Sequence, residues 1–211
     1  VIPERLHAWL EMGFNRLSIG LQSFDQAQLD WMNRRHSADD AAQAVKLASE
    51  AGFKHISADL IYGLPNRKMS FQEELNRFVE LPADHLSAYI LTVEDRTVFG
   101  RRMELGAQSF PDDEDVKAEY QLLCQSMASA GYEHYEVSNW AKPGGRAVHN
   151  QHYWTGLPYW GIGPGAHGFD GAKRFANVSN NPKYIKALSV AVDTAGLPRK
   201  TEALTPTDRY N

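Results

Sequence analysis

The sequence predicts an α/β protein in which parallel strands alternate with helices. Short apolar runs alternate with longer amphipathic ones, and the links between them are short, which makes successive strands parallel. A junction signal, in which glycine, an aromatic residue and polar residues lead into a strand, recurs in EMGFNRLSIG (11–20), EAGFKHISAD (50–59) and SAGYEHYEVS (129–138). Glycine just past a helix end adopts the left-handed conformation that terminates helices. This pattern leaves two architectures open, an open doubly wound sheet and part of a barrel.

Each element in the first part of the chain has a local reason. Asp39 and Asp40 lie in the first turn of one helix, where carboxylates suit the helix dipole. Ser70 and Glu73 form a capping box before another helix. The predicted order is a helix to Gly13, strand 15–22, helices near 25–32 and 37–50, strand 55–62, helix 70–81 and strand 86–93.

The second part predicts a long helix over 112–130, which starts with acidic residues, and then a fourth parallel strand over 134–139. An irregular region follows Pro143-Gly144-Gly145, and a helix is expected near 182–195. The sequence therefore predicts two regions, 1–145 and 146–211. Because the chain opens in a helix and stops where a new helix would start, we expect it to be a fragment of a longer protein.

Composition narrows the class of protein. The chain has 211 residues, 43% of them apolar and 23% charged, with a net charge of −4. No run of Lys or Arg suggests a nucleic-acid partner, and no apolar stretch approaches the roughly 20 residues that span a bilayer. The single cysteine, Cys124, excludes an internal disulfide and a multi-cysteine metal site. These features favour a cytoplasmic protein.

A carboxylate lies within an apolar strand, HISADLIYGLP (55–65), which otherwise reads as covered on both faces. An unpaired buried charge is costly, so Asp59 needs a partner. Polar residues also end the other predicted strands, namely Gln22, Thr92, Glu94, Glu136, Ser138 and Asn139. Parallel strands bring such groups to a shared rim, which predicts a polar ligand across the strand tips. Alternatively, Asp59 pairs with an arginine or caps a turn.

The segment 149–169, HNQHYWTGLPYWGIGPGAHGF, concentrates aromatic residues and glycines. It matches neither a dinucleotide-binding fingerprint nor a phosphate loop. Its glycines allow the backbone to approach a flat ligand or another strand closely. A histidine with stacking rings would suit a flat iron-containing ligand, while packing of a core is the alternative.

Several motifs together resemble the coproporphyrinogen III dehydrogenase-like radical SAM family, and its haem-chaperone branch most of all. The motifs are NRLSIGLQSF, MNRRH, DLIYGLP, HLSAYILTVE, GYEHYEVSNWAKPG, HNQHYW and YWGIGPGAHGF. The resemblance implies a portion of a partial (β/α)6 TIM-like radical SAM barrel, followed by the start of a C-terminal region. The family's CxxxCxxC motif, which holds a [4Fe–4S] cluster, and its glycine-rich SAM strand are absent here. Reductive cleavage of SAM is therefore not expected from this piece alone.

The resemblance also implies cofactor-binding residues. Gln22, Arg34 and Asp59 match residues that contact S-adenosyl-L-methionine, with Arg34 on its carboxylate and Arg35 as the alternative. HNQHYW resembles a motif proposed to bind haem, which implies the set His149, Asn150, Tyr153 and Trp154, with His149 as the iron ligand.

Three functions follow as hypotheses. The first is a haem-binding protein that delivers haem to an acceptor protein and meets membranes only through such acceptors. The second is radical decarboxylation of coproporphyrinogen III at its propionates, with porphyrinogen as the partner. The third, unrelated to the family, is a metal-dependent hydrolase that uses Asp59, Glu94, His149 and His152.

Overall fold

The structure is a computed structural model that describes residues 2–92, 110–190, 198–205 and 208. It divides into two compact units, one ending at Arg146 and the other beginning at Ala147. Within the described residues, the first unit contains α1 (Pro3–Glu11), β1 (Arg16–Gln22), α2 (Gln26–Trp31), α3 (Ala38–Ala51), β2 (His55–Tyr62), α4 (Phe71–Val79), β3 (His85–Ile90), α5 (Asp113–Ser129), β4 (Glu133–Glu136) and β5 (Asn139–Ala141).

The described part of the second unit contains α6 (Val148–Thr155), β6 (His167–Phe169), β7 (Lys173–Asn177), α7 (Asn181–Val190) and β8 (Arg199–Ala203). Its three strands form an antiparallel sheet in the order β6-β7-β8. The helix predicted over 182–195 is present as α7, and the rest of that prediction lies outside the described residues.

Local sequence signals explain the helix boundaries of the first unit. Ser37 and Ser70 both cap helices through reciprocal capping boxes, the latter with Glu73 as predicted. The three junction glycines, Gly13, Gly52 and Gly131, have φ of 89°, 106° and 80°. Each therefore takes the left-handed conformation that the sequence predicts between a helix and the next strand.

The sheet of the first unit has the order β1-β2-β3-β5-β4 in the described residues. The first three strands are parallel, as predicted for an α/β protein. The predicted fourth parallel strand, 134–139, is wrong. That segment folds as a hairpin of β4 and β5, and β5 pairs antiparallel with β3. The turn has no Gly or Pro signal, and the Glu136 side chain stabilises it by accepting a hydrogen bond from the Ser138 amide at 3.1 Å.

The hydrophobic core lies on one face of this sheet. Trp140, Leu86 and Leu60 on that face are fully buried, and Phe78 of α4 and Met127 of α5 pack into the same cluster. The expectation that β2 is covered on both faces by apolar layers is wrong. Alternate residues of β2 point to opposite sides, and those opposite the core, apart from Ile61, are polar.

Candidate functional site

A row of polar residues crosses the face of the first sheet that is opposite the core. The pairing register aligns Gly20 of β1, Asp59 of β2, Ser87 of β3 and Asn139 of β5. Residues in register on neighbouring strands point to the same face, so these side chains share one surface. Asn139 Oδ1 is buried and lacks a hydrogen-bond partner among the described residues. The row thus offers acceptor groups to a polar ligand.

Asp59 is the charged group at the centre of this row. The Ser18 hydroxyl donates to its two carboxylate oxygens at 3.0 Å and 3.3 Å. Burial raises the pKa of Asp59, while hydrogen bonds from Ser18 and Ser87 oppose that shift. The salt bridges among the described residues give Asp59 no arginine or lysine. The alternative of pairing with an arginine is therefore not what the structure shows.

Gln22 reaches the same row through a bulge at the end of β1. The pairing shifts between Gly20 and Gln22, and Gln22 has a φ of 69°, which is rare for a residue with a side chain. Its amide nitrogen lies only 2.6 Å from where a Cβ on Gly20 would be. Glycine at position 20 therefore lets the Gln22 side chain fold over the strand next to Asp59.

A hydrogen-bond chain runs from this row toward β4. Ser57 Oγ lies 3.4 Å from Ser87 Oγ and 2.7 Å from His85 Nδ1, and His85 Nε2 lies 2.6 Å from the Tyr135 hydroxyl. When Asp59 is ionised it can only accept, and Ser87 then donates to it, Ser57 donates to Ser87 and His85 Nδ1–H donates to Ser57. Tyr135 then donates to Nε2. Burial lowers the pKa of His85 to about 4, which keeps the ring neutral for this arrangement.

Arg34 lies in the loop after α2, and its side chain is exposed. The Arg34 amide donates to the Leu29 carbonyl at 2.9 Å, and the His36 ring nitrogen lies 3.3 Å from the Leu21 carbonyl. The loop therefore passes the end of β1, one residue from Gln22. Arg35 lines a surface groove with His36, Asp40 and Gln43 along α3. Contact of Arg34 with a ligand stays a prediction.

A buried ionic network holds the chain just after Gln22, at Ser23 and Phe24. Glu74 Oε2 accepts from the Ser23 hydroxyl at 2.9 Å and from the Phe24 amide at 3.0 Å. Its other oxygen pairs with Arg67. The Nε atom of Arg67 also lies 2.9 Å from a Glu119 oxygen, but this contact does not have the geometry of a hydrogen bond. Burial raises the pKa of Glu74, and Arg67 opposes that shift. The network joins the carboxyl ends of β1 and β2 to α4 and α5.

The residues predicted to bind haem lie on α6 in the second unit. His149 and Tyr153 share one helix face, and the Tyr153 hydroxyl lies 2.9 Å from His149 Nε2. Asn150 and Trp154 form the neighbouring stripe, and Trp154 is 61% exposed. The ring of Tyr159 contacts that of Tyr153 edge-on, with centroids 4.5 Å apart. The structure thus groups the four predicted residues on two adjacent stripes of one exposed helix.

Metal and cluster sites find no support in the described residues. In those parts of the chain, no group of three or more His, Cys, Asp or Glu side chains could hold a metal ion. Of the hydrolase set, Glu94 lies outside the described residues. The one cysteine, Cys124, lies partly buried on α5, where burial raises the pKa of its thiol. One such thiol cannot supply the ligands of a [4Fe–4S] cluster.

Among the helices of the described residues, none combines the length and the apolar character that a bilayer crossing needs.

The first unit has the parallel α/β sheet predicted for a radical SAM-type fold, and comparison with known proteins supports this class. Residues 1–79 match the sequence model of the Radical SAM superfamily. The likeness of the whole chain extends to a solved structure entitled "Coproporphyrinogen III oxidase (HemN) from Escherichia coli is a Radical SAM enzyme", with a TM-score of 0.79 and 24% identity over 99% of this chain and 50% of that one. The α/β radical SAM fold predicted from the sequence is confirmed.

Among sequence relatives, the chain is similar to proteins named heme chaperone HemW. It is 40% identical over 190 residues to that of Mycobacterium tuberculosis, which covers 90% of this chain and 49% of the relative. It is 40% identical over 171 residues to that of Escherichia coli K12, covering 80% and 44%. The chain therefore spans about half the length of these relatives. The resemblance to the haem-chaperone branch of the radical SAM family is confirmed.

Sequence reasoning missed the supporting polar residues of the site, Ser18, Ser57, His85, Ser87 and Tyr135. The available signal was a polar residue at every second position of the three parallel strands. In RLSIGLQ, HISADLIY and HLSAYI, serine recurs at alternate positions with histidine, arginine, aspartate or tyrosine. Such alternation predicts one polar and one apolar face for each strand.

Proposed function

We propose that this chain is part of a haem-binding radical SAM-type protein that acts as a haem chaperone, with SAM held at the polar row and haem at α6. The observation that carries the SAM part is the adjacency of Gln22 and Asp59 on one open face, where Asp59 lacks a cationic partner in the described salt bridges. The similarity to proteins named heme chaperone HemW supports the haem part. A cytoplasmic location belongs to the same proposal.

The residues present suit the polar groups of SAM. Asp59 accepts hydrogen bonds, so it would hold a ribose hydroxyl or the amino group. Gln22 offers both a donor and an acceptor beside it, and the open Cβ position of Gly20 makes room for its amide. Arg34 would pair with the SAM carboxylate through two parallel hydrogen bonds. In this superfamily SAM supplies a radical after reductive cleavage, and this chain lacks the cysteines for the cluster involved.

Calorimetry of SAM binding to the complete protein tests the first site. Asp59→Asn and Arg34→Gln are each expected to weaken binding by about tenfold or more, because each removes a charge-assisted hydrogen bond. Arg35→Gln tests the alternative assignment, because a loss of affinity there and not in Arg34→Gln would give the carboxylate contact to Arg35. Equal affinity of all three variants and the wild type would contradict the placement of SAM.

Haem titration of the complete protein tests the second site. His149→Ala is expected to lose the shift of the haem absorption band, and His152→Ala, the same change on the same helix, is the control. The Tyr153 hydroxyl lies 2.9 Å from His149 Nε2 and forms a hydrogen bond with it. Iron can therefore bind at that nitrogen only if this hydrogen bond breaks. Tyr153→Phe is therefore expected to strengthen haem binding. A His149→Ala variant that binds haem normally would refute the assignment.

The chain also resembles the structure of coproporphyrinogen III oxidase, but at 24% identity this similarity shows the fold alone. Decarboxylase activity would be the result that contradicts the chaperone proposal. If the complete protein decarboxylated coproporphyrinogen III propionates with SAM, the chaperone proposal would give way to the enzyme hypothesis.

A further inference from the structure

The second unit contains a cavity of about 630 Å³ on one face of its three-stranded sheet. Four aromatic residues line it, namely Tyr159, Trp160, Phe169 and Phe175. The volume falls within the range of sites that hold cofactor-sized ligands. Trp160 is 82% exposed, so most of its ring surface is open to solvent. Aromatic walls of this kind stack on planar ligands.

Two cationic side chains, Lys173 and Arg199, and one carboxylate, that of Asp170, line the same cavity. Asp170 is already engaged, because Oδ1 accepts from the amides of Ala172 at 2.9 Å and Lys173 at 2.7 Å. These bonds hold the pKa of Asp170 below its usual value. The lining therefore carries one net positive charge.

The Arg199 guanidinium is fixed before any ligand arrives. Its carbon lies 4.3 Å from the centroid of the Phe175 ring, and Nε donates to Asn177 Oδ1 at 2.8 Å. Asn177 in turn donates to the carbonyls of Gly161 and Gly163, both at 2.9 Å. A guanidinium held in this way loses little freedom when it binds a carboxylate.

Two glycines allow close packing of the chain that lines the cavity. A Cβ on Gly168 would overlap the Phe175 ring, and a Cβ on Gly161 would lie 2.6 Å from the His167 carbonyl carbon. The glycines predicted to allow close backbone approach thus let another strand and an aromatic ring come near. The Phe175 ring packs against Gly168 and supports the Arg199 guanidinium, which lies over it.

We propose that this cavity binds a planar aromatic ring bearing carboxylates, and, resting on the proposed haem function, that the ring is a tetrapyrrole. Its plane would stack on the exposed ring of Trp160, and its propionates would meet Arg199 and Lys173. The cavity adjoins the predicted haem ligand, because the Tyr159 ring that lines it lies 6.1 Å from that of His149.

Metal-free protoporphyrin IX and its dimethyl ester are suitable probes, because neither needs an iron ligand. In fluorescence titrations of the complete protein, Arg199→Gln and Lys173→Gln are each expected to weaken binding of the acid about tenfold. The ester should bind weakly and be insensitive to both changes. Trp160→Ala should weaken both probes. Lys200→Gln is the control, since neighbouring strand residues point to opposite faces and Lys200 is exposed.

The outcomes separate the inference from the function that it rests on. If haem binds with His149 dependence while the cavity variants bind both probes like the wild type, the cavity inference is overturned and the haem function stands. If the ester binds as tightly as the acid, the carboxylate-reading role is wrong. If the wild-type protein binds neither haem nor protoporphyrin, the proposed function falls and the inference with it. If the variants unfold instead, thermal melts will show it, and the face is then an internal surface rather than a binding site.

Discussion

Replacing Arg67 with methionine is expected to destabilise the complete protein by about 3–5 kcal/mol. The Glu74 side chain is 0% exposed and pairs with Arg67, which is itself only 12% exposed. Without the guanidinium, the native state would contain a buried carboxylate whose remaining donors are the Ser23 hydroxyl and the Phe24 amide. Methionine retains the apolar stem of arginine, so the loss reports the charge more than the packing.

The pH dependence of this variant identifies the cause. Burial raises the pKa of Glu74 from 4.5, and Arg67 is the largest opposing effect. Without Arg67, native Glu74 would hold its proton to a higher pH than unfolded Glu74 does. The native state would then bind more protons, so the free energy of unfolding falls as pH rises above 4.5, by about 1.4 kcal/mol per unit. This slope ends where native Glu74 ionises.

Urea unfolding at about pH 5 and about pH 7 measures both effects. Arg77→Met is the control, because Arg77 pairs at 3.3 Å with an Asp39 side chain that is 93% exposed. Exposed pairs of this kind contribute about 1 kcal/mol or less. An Arg67→Met variant that matched Arg77→Met in stability, with no added pH slope, would refute the buried-charge reasoning.

Two further predictions concern the hydrogen-bond chain behind Asp59. Because burial lowers the pKa of His85 from 6.5 to about 4, the unfolded state binds more protons below pH 6.5, and stability should fall by up to about 3 kcal/mol as pH drops toward 4. Urea unfolding should show this slope in the wild type and its loss in His85→Gln; an equal slope in both contradicts it. Nitrogen NMR should find the His85 proton on Nδ1, and Ser87→Ala should move it to Nε2, because Ser57 is then free to donate to the ring. An unchanged tautomer in Ser87→Ala would show that the chain has no fixed direction.

Local signals predicted most of the first unit because each acts within a few residues. Capping by Ser70 and the left-handed glycines depend on short-range geometry that the sequence displays directly. The hairpin of β4 and β5 escaped prediction because its turn depends on a side-chain bond from Glu136, not on a glycine or proline. Its antiparallel pairing with β3 is a tertiary contact, which a short stretch of sequence does not reveal.

The site was predictable only in part, for a similar reason. Gln22 and Asp59 stand out as polar groups at strand ends, and the register does bring them side by side. Ser57, His85 and Tyr135 act through each other across three strands, so their role depends on contacts distant in sequence. A serine within a strand is unremarkable until the neighbouring strand supplies its partner.

The bulge at Gln22 connects the buried network to the proposed SAM site. A φ of 69° costs a residue with a side chain on the order of 1–3 kcal/mol, and it persists only where the surroundings enforce it. The next two residues, Ser23 and Phe24, are 0% and 2% exposed, and both donate to Glu74. Glu74 therefore anchors the chain just beyond the bulge, and Arg67 opposes the rise that burial causes in the pKa of Glu74. Loss of Arg67 should consequently relax the Gln22 conformation before it unfolds the protein, which links the stability of this corner to the geometry offered to the ligand.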